Sequence, residues 1–280
     1  MTPPNGPTPS LDISIVLFRP DAELFRASLD SVAAAARLLY ERAGTACRLW
    51  IVDNDREPLQ PAVRAAIESL GDGGPLSVEM IAGHGNVGYG AGHNLAIRRG
   101  ASDLHLVLNY DVVLDRDALV AALGFMEANP STILLTPKVF DGTGEQQFIC
   151  KRMPSVLNLG LRAAMPVAVR RLFRRYLDHY EMRDLTRDSV VGGLEHVGGA
   201  FMLFRRDALV RLGGFDEGFF LYFEDFDLSR RAARLGDVTY VPAVRLVHFG
   251  GNAARKGATH IRLFAQSAFR FFHKHGWKLY

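Results

Sequence analysis

The sequence has little cysteine, little net charge and no long apolar run. Its two cysteines, Cys47 and Cys150, are too few for a disulfide scaffold, which indicates a reducing compartment. The net charge of +3 argues against a dedicated nucleic-acid binder. No uninterrupted apolar stretch reaches the roughly 18–20 residues that cross a bilayer. We therefore predict a cytoplasmic protein, with peripheral contact at the inner face of the cytoplasmic membrane as an open alternative.

What the sequence does contain is the composition of an ordinary globular protein. Hydrophobic residues make up 48% and charged residues 22% of the 280 residues. This length suffices for one large domain or two fused halves with an ample hydrophobic core. Residues 1–10 are rich in proline and polar side chains and lack the apolar region of a signal peptide, so we predict a loose tail there.

The first half of the chain alternates short apolar runs with amphipathic segments. The apolar runs, residues 13–18, 48–52, 76–81 and 104–108, are typical of buried strands. Helices are predicted between and after them, over a segment that starts at Asp21 and over residues 61–70, 94–99 and 115–128. This alternation predicts an α/β fold with a Rossmann-like, mostly parallel central sheet flanked by helices.

The alternation fails after residues 133–136. We predict a strand over residues 195–204, a helix over 224–235 and extended chain over 238–247 that Pro242 interrupts. Residues 261–278 mix aromatic with basic side chains and predict an amphipathic helix up to Gly276. Residues 161–175 carry five arginines, which predict either a solvated surface helix or a basic face that meets anionic lipid.

Polar clusters follow two of the predicted strands. Asp53-Asn54-Asp55 ends the second strand, and Asn109-Tyr110-Asp111 ends the fourth. Because parallel strands end at the same edge of a sheet, the two clusters are placed to converge on one ligand. Asp53 suits a base or ribose, although it suits a turn equally well, and Asp111 suits a hard divalent cation.

A glycine-rich segment follows the third strand. Five glycines lie between residues 83 and 92, a spacing that lets backbone N–H groups approach a phosphate. The alternative is a flexible surface loop. Gly83, Gly85 and Gly88 match the spacing of a dinucleotide fingerprint, but this match follows the third strand instead of the first and is weak evidence for NAD binding.

Three acids begin the predicted helix at residue 224. Glu224, Asp225 and Asp227 follow an aromatic-rich run, and burial beside apolar surface raises a carboxylate's pKa and makes it a better base. The simpler alternative is that these acids complement the helix dipole. His248 ends the extended segment and would complete a metal site if the fold brings it near Asp111.

In their order and spacing, these motifs resemble family 2 glycosyltransferases of the GT-A fold, within them the bacterial rhamnosyltransferase-like branch. The resemblance runs from about residue 13 to residue 248. Beyond the first strand, the matching segments are residues 52–54, 86–94, 108–112, 199–202, 213–220, 224–228 and 247–248. The resemblance implies one domain over residues 11–250, with a nucleotide-sugar half to about residue 130, an acceptor-binding half after it, and an amphipathic segment over 251–280.

The resemblance also implies a role for each matching residue. Asp225 is implied as the base that activates the acceptor hydroxyl, with Glu224 beside it. Asp111 and His248 are implied as ligands of a divalent cation, Mg or Mn. The residues implied in nucleotide-sugar binding are Asp53, Asn54, Asn86, Gly88, Tyr89, Gly90, Asn94, Asn109 and Asp111.

The implied reaction is an inverting transfer from a dTDP- or UDP-sugar, with dTDP-rhamnose as one option, to a glycan or a polyprenyl-diphosphate-linked saccharide in bacterial surface polysaccharide synthesis. One residue departs from the family's Asp-x-Asp motif, because Asn109 replaces the first acid. Two other hypotheses stay open: an NAD-dependent oxidoreductase built on residues 83–88, and a non-catalytic module that binds nucleotide sugar or glycan.

Overall fold

The computed structural model describes residues 10–71, 74–250 and 257–280, so the predicted tail, except Ser10, and residues 251–256 of the predicted C-terminal segment lie outside it. The strands are β1 Leu11–Leu17, β2 Cys47–Asp53, β3 Leu76–Ile81, β4 Leu104–Leu108, β5 Val112–Leu114, β6 Thr132–Phe140, β7 Gln146–Gln147, β8 Cys150–Lys151, β9 His196–Val197, β10 Phe201–Arg205 and β11 Asp237–His248. The helices are α1 Ala22–Ala43, α2 Pro61–Glu68, α3 Tyr89–Arg99, α4 Ala118–Ala128, α5 Val156–Ala164, α6 Val167–Leu172, α7 Arg174–Tyr180, α8 Arg206–Arg211, α9 Glu224–Ala232 and α10 Ala258–His275.

Within the described residues, nine strands form one large sheet. Its order is β3-β2-β1-β4-β10-β6-β11-β5, and β7 pairs with β6. Strands β1 to β4, β6 and β11 run in one direction, whereas β5, β7 and β10 run in the opposite direction. The mostly parallel sheet predicted from the sequence is therefore confirmed. Strands β8 and β9 pair separately.

Helices cover both faces of the parallel part of the sheet. On one face, Leu17 of β1 packs in a large apolar cluster with Phe25 of α1. On the other face, Val16 packs with Ala96 of α3. Helix α1 begins where predicted, because the Asp21 carboxylate accepts hydrogen bonds from two backbone N–H groups of the first turn, each at 3.0 Å.

Helix α3 begins at Tyr89, so residues 89–93 are helical where the sequence predicts a loop. The glycines that favoured the loop serve close packing. A Cβ on Gly90 would lie 2.8 Å from Cβ of Phe215, and one on Gly92 would lie 2.9 Å from Cγ2 of Val16. A glycine inside a helix costs about 1 kcal/mol relative to alanine. The close contact of α3 with the sheet offsets that cost.

The second half differs from the prediction in four places. The predicted strand over residues 195–204 is divided into β9 and β10 by a turn at Gly199 and Ala200. The arginine-rich stretch spans parts of three short helices, α5, α6 and α7, and Pro166 caps the middle one. Strand β11 continues through Pro242 with a register shift instead of ending, because a bulge accommodates the missing N–H group. Strand β5 has only three residues, too short a pattern for the sequence to predict.

The C-terminal helix α10 packs against the residues that precede α9. Phe271 and Phe272 of α10 form a buried aromatic cluster with Phe219 and Phe223. Two basic residues of α10 are neutralised, since Arg270 and Lys274 both bind Asp216, at 2.9 and 2.7 Å. Lys274 and His275 also lie 2.7 Å from Asp227, a buried carboxylate of α9. The predicted amphipathic helix thus packs as a structural part of the second half of the chain.

Truncating Phe271 to alanine should lower the free energy of unfolding by about 3–5 kcal/mol, because the fully buried ring leaves a cavity. Phe269 on the same helix is 60% exposed and provides the matched control. The same truncation there should cost less than about 1 kcal/mol. Urea denaturation followed by circular dichroism measures both, and equal effects would show that α10 is not anchored by the aromatic cluster.

No helix in the described ranges is both long enough and apolar enough to cross a membrane.

Candidate active site

The ends of β1, β2 and β4 define the edge of the sheet where the site lies. Leu17 pairs with Asp53, and Ile15 pairs with Leu108, so the polar residues after β2 and β4 emerge at the same edge. This is the arrangement that the strand directions predict. Asp53 is buried and accepts a hydrogen bond from the backbone N–H of Asp55 at 3.0 Å.

A cleft of about 340 Å³ opens beside Asp53. Its lining residues are Phe18, Arg19, Asn54, Asp55, Arg56, Glu57 and Asn86. Phe18 is 46% exposed, which leaves an aromatic face open to the cleft, and Arg19 holds a left-handed backbone with φ of 48°. Such strain is typical of functional sites. Sequence reasoning missed both residues; the only signal was a strand that ends directly before Pro20.

Two asparagines fix the start of α3 at this cleft. The Asn54 side chain donates to the Gly88 carbonyl at 2.9 Å, and its oxygen lies 2.9 Å from Nε2 of His84. Asn86 accepts a hydrogen bond from the Gly88 N–H at 3.1 Å. The eleven-residue helix thus begins three residues after Asn86, which lines the cleft, and the partial positive charge of a helix N-terminus suits a phosphate.

Gly88 couples this helix start to the catalytic half. Its φ is 95°, and a Cβ there would lie 2.5 Å from the carbonyl oxygen of Phe220, the same oxygen that accepts the N–H of Tyr89 at 3.0 Å. Only glycine fits this contact.

Replacing Gly88 by alanine should therefore displace the 220 loop and lower kcat/KM for the enzyme's reaction at least about tenfold. Gly83 has a similar φ of 88° with no neighbour within 4 Å of a Cβ. The Gly83→Ala protein should show only backbone strain, worth about 1 kcal/mol of stability. Thermal denaturation and steady-state kinetics of the two variants separate the effect of backbone strain from that of the clash with Phe220. Equal losses of kcat/KM in both variants would contradict the proposed contact.

Asp111, His248 and Asn109 meet in one corner of the site. Nε2 of His248 lies 3.4 Å from Oδ1 of Asp111 and 3.3 Å from the Asn109 amide nitrogen. The neighbourhood follows from the pairing of β11 with β5, which sets His248 opposite Val112. In the described part of the chain, no three His, Cys, Asp or Glu side chains form a metal-binding group. The side chain beside Asp111 and His248 is the amide of Asn109.

Gln147 fixes the tautomer of His248, and no sequence signal pointed to it. Its amide nitrogen donates to the His248 carbonyl at 3.0 Å, so its amide oxygen is the atom that lies 3.2 Å from Nδ1 of the ring. Nδ1 must therefore carry a proton. In the neutral ring, Nε2 then presents a lone pair toward Asp111, which is the orientation that a metal-binding imidazole needs.

Tyr89 decides which atom of Asn109 faces the corner. Its hydroxyl lies 2.7 Å from Asn109 Oδ1 and 2.9 Å from the Gly199 carbonyl, but one proton serves only one acceptor. Turning the Asn109 amide over satisfies the hydroxyl fully, since it then donates to Gly199 and accepts from Asn109. Amide orientations are interchangeable in this way. The carbonyl oxygen of Asn109 then joins Asp111 and Nε2 of His248 as a third donor, a set that fits Mg or Mn.

Asp225 lies across Gly199 from Tyr89. Its Oδ2 accepts the Gly199 N–H and its Oδ1 accepts the Phe226 N–H, both at 2.8 Å. Burial raises the pKa of Asp225 to about 6, which is suitable for a base near neutral pH. Burial and the charge of Asp225 raise the pKa of Glu224 well above its usual range, and Oε2 of Glu224 has no hydrogen-bond partner among the described residues.

Two strained residues present these acids. Tyr222 and Phe223 hold left-handed backbones with φ of 72° and 64° directly before α9. Helix α10 holds them there through two contacts. The Ser267 hydroxyl donates to the Leu221 carbonyl, and the Tyr222 hydroxyl lies near Nδ1 of His260, each at 2.8 Å. Burial and the surrounding carboxylates of residues 224, 225 and 111 raise the pKa of the Tyr89 phenol. The Tyr89 hydroxyl thus contacts Asn109 of the corner and Gly199, which in turn donates to Asp225.

The structure does not bring every predicted residue to the open site. Asn94 is buried, and its side chain bonds the backbone of Phe215 in both directions at 2.9 Å and the Glu217 carboxylate at 2.9 Å. Gly90 is packed under the ring of Phe215. These two residues hold the 213–217 loop against α3, and their role in nucleotide-sugar binding stays a prediction.

Comparison with solved structures identifies the fold class of this chain. A mannosyltransferase from Pyrobaculum calidifontis, solved in complex with GDP-Man and Mn2+, superposes with a TM-score of 0.58 at 17% identity, over 96% of this chain and 66% of that one. At that identity the likeness concerns the fold alone, which is the GT-A fold predicted from the sequence.

The family follows from the sequence match. The profile described as "Glycosyltransferase like family 2" matches residues 50–268, and the chain belongs to that family. An N-acetylglucosaminyl-diphospho-decaprenol L-rhamnosyltransferase of Mycobacterium tuberculosis is 27% identical over 209 residues, which span 70% of this chain and 66% of that protein. The rhamnosyltransferase WbbL of Escherichia coli K12 is 26% identical over 176 residues, 59% of this chain and 62% of that protein.

Proposed function

We propose that this protein is a metal-dependent inverting glycosyltransferase that moves L-rhamnose from dTDP-rhamnose to a polyprenyl-diphosphate-linked saccharide in bacterial surface polysaccharide synthesis. One observation carries the proposal: Asp111, His248 and Asn109 meet in a corner that Tyr89 links directly to Gly199, the partner of Asp225. The names of the two bacterial relatives support the sugar, and the name of the mycobacterial one supports the acceptor.

The cleft beside Asp53 is the proposed site of the nucleotide. Asp53 accepts hydrogen bonds from the base, Phe18 offers an apolar face, and the start of α3 at Gly88 faces the diphosphate. The oxidoreductase hypothesis has no comparable support. Its fingerprint follows β3, which lies at the edge of the sheet, and not β1, from which a dinucleotide site is built.

The corner formed by Asp111, His248 and Asn109 is the proposed metal site. A divalent cation held there neutralises charge on the departing diphosphate. Gln147 keeps Nε2 of His248 free for that role. With the Asn109 amide turned over, its nitrogen donates to the Tyr89 hydroxyl and its oxygen faces the cation. The amide oxygen thus replaces the missing first acid of the Asp-x-Asp motif as a neutral donor.

Asp225 is the proposed base. The acceptor hydroxyl oxygen bonds to the anomeric carbon of the sugar while the bond from that carbon to the nucleotide diphosphate breaks. The hydroxyl proton passes to the Asp225 carboxylate. Because attack and departure occur on opposite faces, the anomeric centre is inverted. Glu224, held protonated by its burial, leaves Asp225 as the ionised member of the pair.

A peripheral contact with the inner membrane face fits a lipid-linked acceptor. Leu172, the last residue of α6, is 84% exposed, and Phe173, which follows it, is 40% exposed. The side chain of Arg174 beside them is 79% exposed. An apolar ridge with cationic neighbours suits anionic lipid. Sedimentation with vesicles of phosphatidylglycerol should carry the protein down at low salt and release it at high salt, and failure to bind would point to a soluble acceptor.

The proposed function is tested by supplying dTDP-rhamnose and an undecaprenyl-diphosphate-linked N-acetylglucosamine. Transfer should occur with Mn or Mg, stop with a chelator and return when metal is added in excess. Transfer that persists in chelator would remove the metal from the proposal. Binding of the nucleotide sugar without transfer or hydrolysis would instead favour the non-catalytic module.

A further inference from the structure

A group of cations near Asp225 has no role in the steps above. Lys151 on β8 and Arg162 on α5 approach the same atom, Oε1 of Glu181, at 3.5 and 3.4 Å. Arg183 occupies the other oxygen, Oε2, with two contacts of 2.8 and 2.6 Å. Hydrogen bonds from nitrogen to oxygen are usually about 2.7–3.2 Å long. Lys151 and Arg162 therefore share one acceptor without either bonding it well.

The group is short of negative charge. Lys151, Arg162 and Arg183 share Glu181, and in the described part of the chain only Arg183 has a second carboxylate, Asp178 at 3.2 Å. Among the described residues, Glu181 is the only acidic side chain within 4.0 Å of Lys151 or Arg162. The Lys151 side chain is only 10% exposed, and burial together with the charge of Arg162 lowers its pKa to about 8. A buried cation without a full partner is costly, so Lys151 and Arg162 together favour an incoming anion.

Tyr180 connects this group to the proposed base. Nζ of Lys151 and Cζ of Arg162 each lie 5.6 Å from the centroid of the Tyr180 ring. Burial raises the pKa of the Tyr180 phenol, and the nearby charge of Asp225 raises it further. The backbone gives the same placement, since Lys151 pairs with His196 and the chain then turns at Gly199, which donates to Asp225.

We propose that Lys151 and Arg162 form an anion subsite that binds a phosphate of the acceptor's diphosphate, beside the base that activates its hydroxyl. This inference rests on the proposed function, because it places the diphosphate end of the acceptor, which the transfer leaves unchanged. The subsite differs from the donor's diphosphate site at the start of α3, where the backbone of Gly88 and the corner of Asp111 lie. Arg162 is the residue to test, since its side chain is 43% exposed and its removal leaves the core intact.

The test compares Arg162→Gln with Arg245→Gln, a matched control whose side chain is 57% exposed and pairs with Asp115 at 2.9 Å. Two acceptors are used: farnesyl-diphosphate-linked N-acetylglucosamine and an uncharged alkyl N-acetylglucosaminide. Arg162→Gln should raise KM for the diphosphate acceptor about 10- to 100-fold, the size of one charge-assisted hydrogen bond. KM for the donor and kcat/KM for the uncharged acceptor should stay unchanged, as should all values for the control.

Binding provides a second arm that does not depend on transfer. With the donor site saturated by dTDP and Mn, calorimetric titration with farnesyl diphosphate should give a Kd about tenfold or more weaker for Arg162→Gln than for the control. If that loss is seen while the unmodified protein transfers no sugar, the proposed function fails and the subsite stands. An unchanged Kd, equal losses with both acceptors, or a raised donor KM would each overturn the subsite.

Discussion

Asp225→Asn should lower the rate of sugar transfer about 10²- to 10⁴-fold, the contribution expected of a positioned base. The amide keeps the shape of the side chain, and its oxygen can still accept the N–H of Gly199 or Phe226, but it cannot take a proton. Donor affinity should not change, because Asp225 does not line the cleft beside Asp53. The measurement is kcat from single-turnover transfer together with donor Kd from calorimetry.

The pH dependence of transfer gives an independent check on the same residue. Because burial raises the pKa of Asp225 to about 6, the carboxylate is protonated and inactive below that pH. kcat/KM should therefore fall about tenfold for each pH unit below 6 and level off above it. The residual kcat/KM of the Asp225→Asn protein should not show this fall below pH 6.

A suitable control for both experiments is Glu195→Gln, which removes a carboxylate that is 57% exposed and pairs with Arg230 at 3.6 Å. This protein should keep the rate and the acid limb of the unmodified enzyme. Full transfer by Asp225→Asn would assign the base elsewhere, with Glu224 as the remaining carboxylate.

Asp111→Asn should cost about 4 kcal/mol of transition-state stabilisation, or roughly a thousandfold in rate. Among the described residues, Asp111 is the only carboxylate at the corner, since His248 offers a ring nitrogen and Asn109 an amide. Loss of this charge should also weaken Mn binding, which paramagnetic relaxation of water protons measures without any turnover.

Asp115→Asn is the matched control, because Asp115 follows β5, is half-exposed and pairs with Arg245 at 2.9 Å away from the corner. That protein should bind Mn and transfer sugar normally. If Asp111→Asn retains both properties, the cation is held by other residues and the corner of Asp111, His248 and Asn109 has a structural role.

The fold of the first half was predictable because its pattern is local. A short apolar run such as that of β4 predicts a buried strand. Because β1, β2 and β4 are parallel, Asp53 and Asn109, at the ends of β2 and β4, lie at the same edge of the sheet. The start of α3 was not predictable in the same way. Glycines favour loops on propensity, and only the tertiary contact of Gly90 with Phe215 makes a helix there favourable.

The meeting of distant residues was harder to predict. His248 reaches Asp111 because β11 pairs with β5, a three-residue strand without a pattern of its own. Gln147 has no feature that distinguishes it from a surface glutamine, yet it fixes the His248 tautomer. Family resemblance named Asp111, Asp225 and His248, whereas the supporting contacts follow only from the folded chain.

The configuration of the product tests the central claim most directly. We would incubate the unmodified protein with Mn, dTDP-β-L-rhamnose and a diphosphate-linked N-acetylglucosamine acceptor. NMR of the anomeric proton then gives the configuration of the transferred sugar. A single displacement with Asp225 as base gives an α-linked rhamnose. A β-linked product, or no transfer by folded protein that binds the donor, would contradict the proposed inverting mechanism.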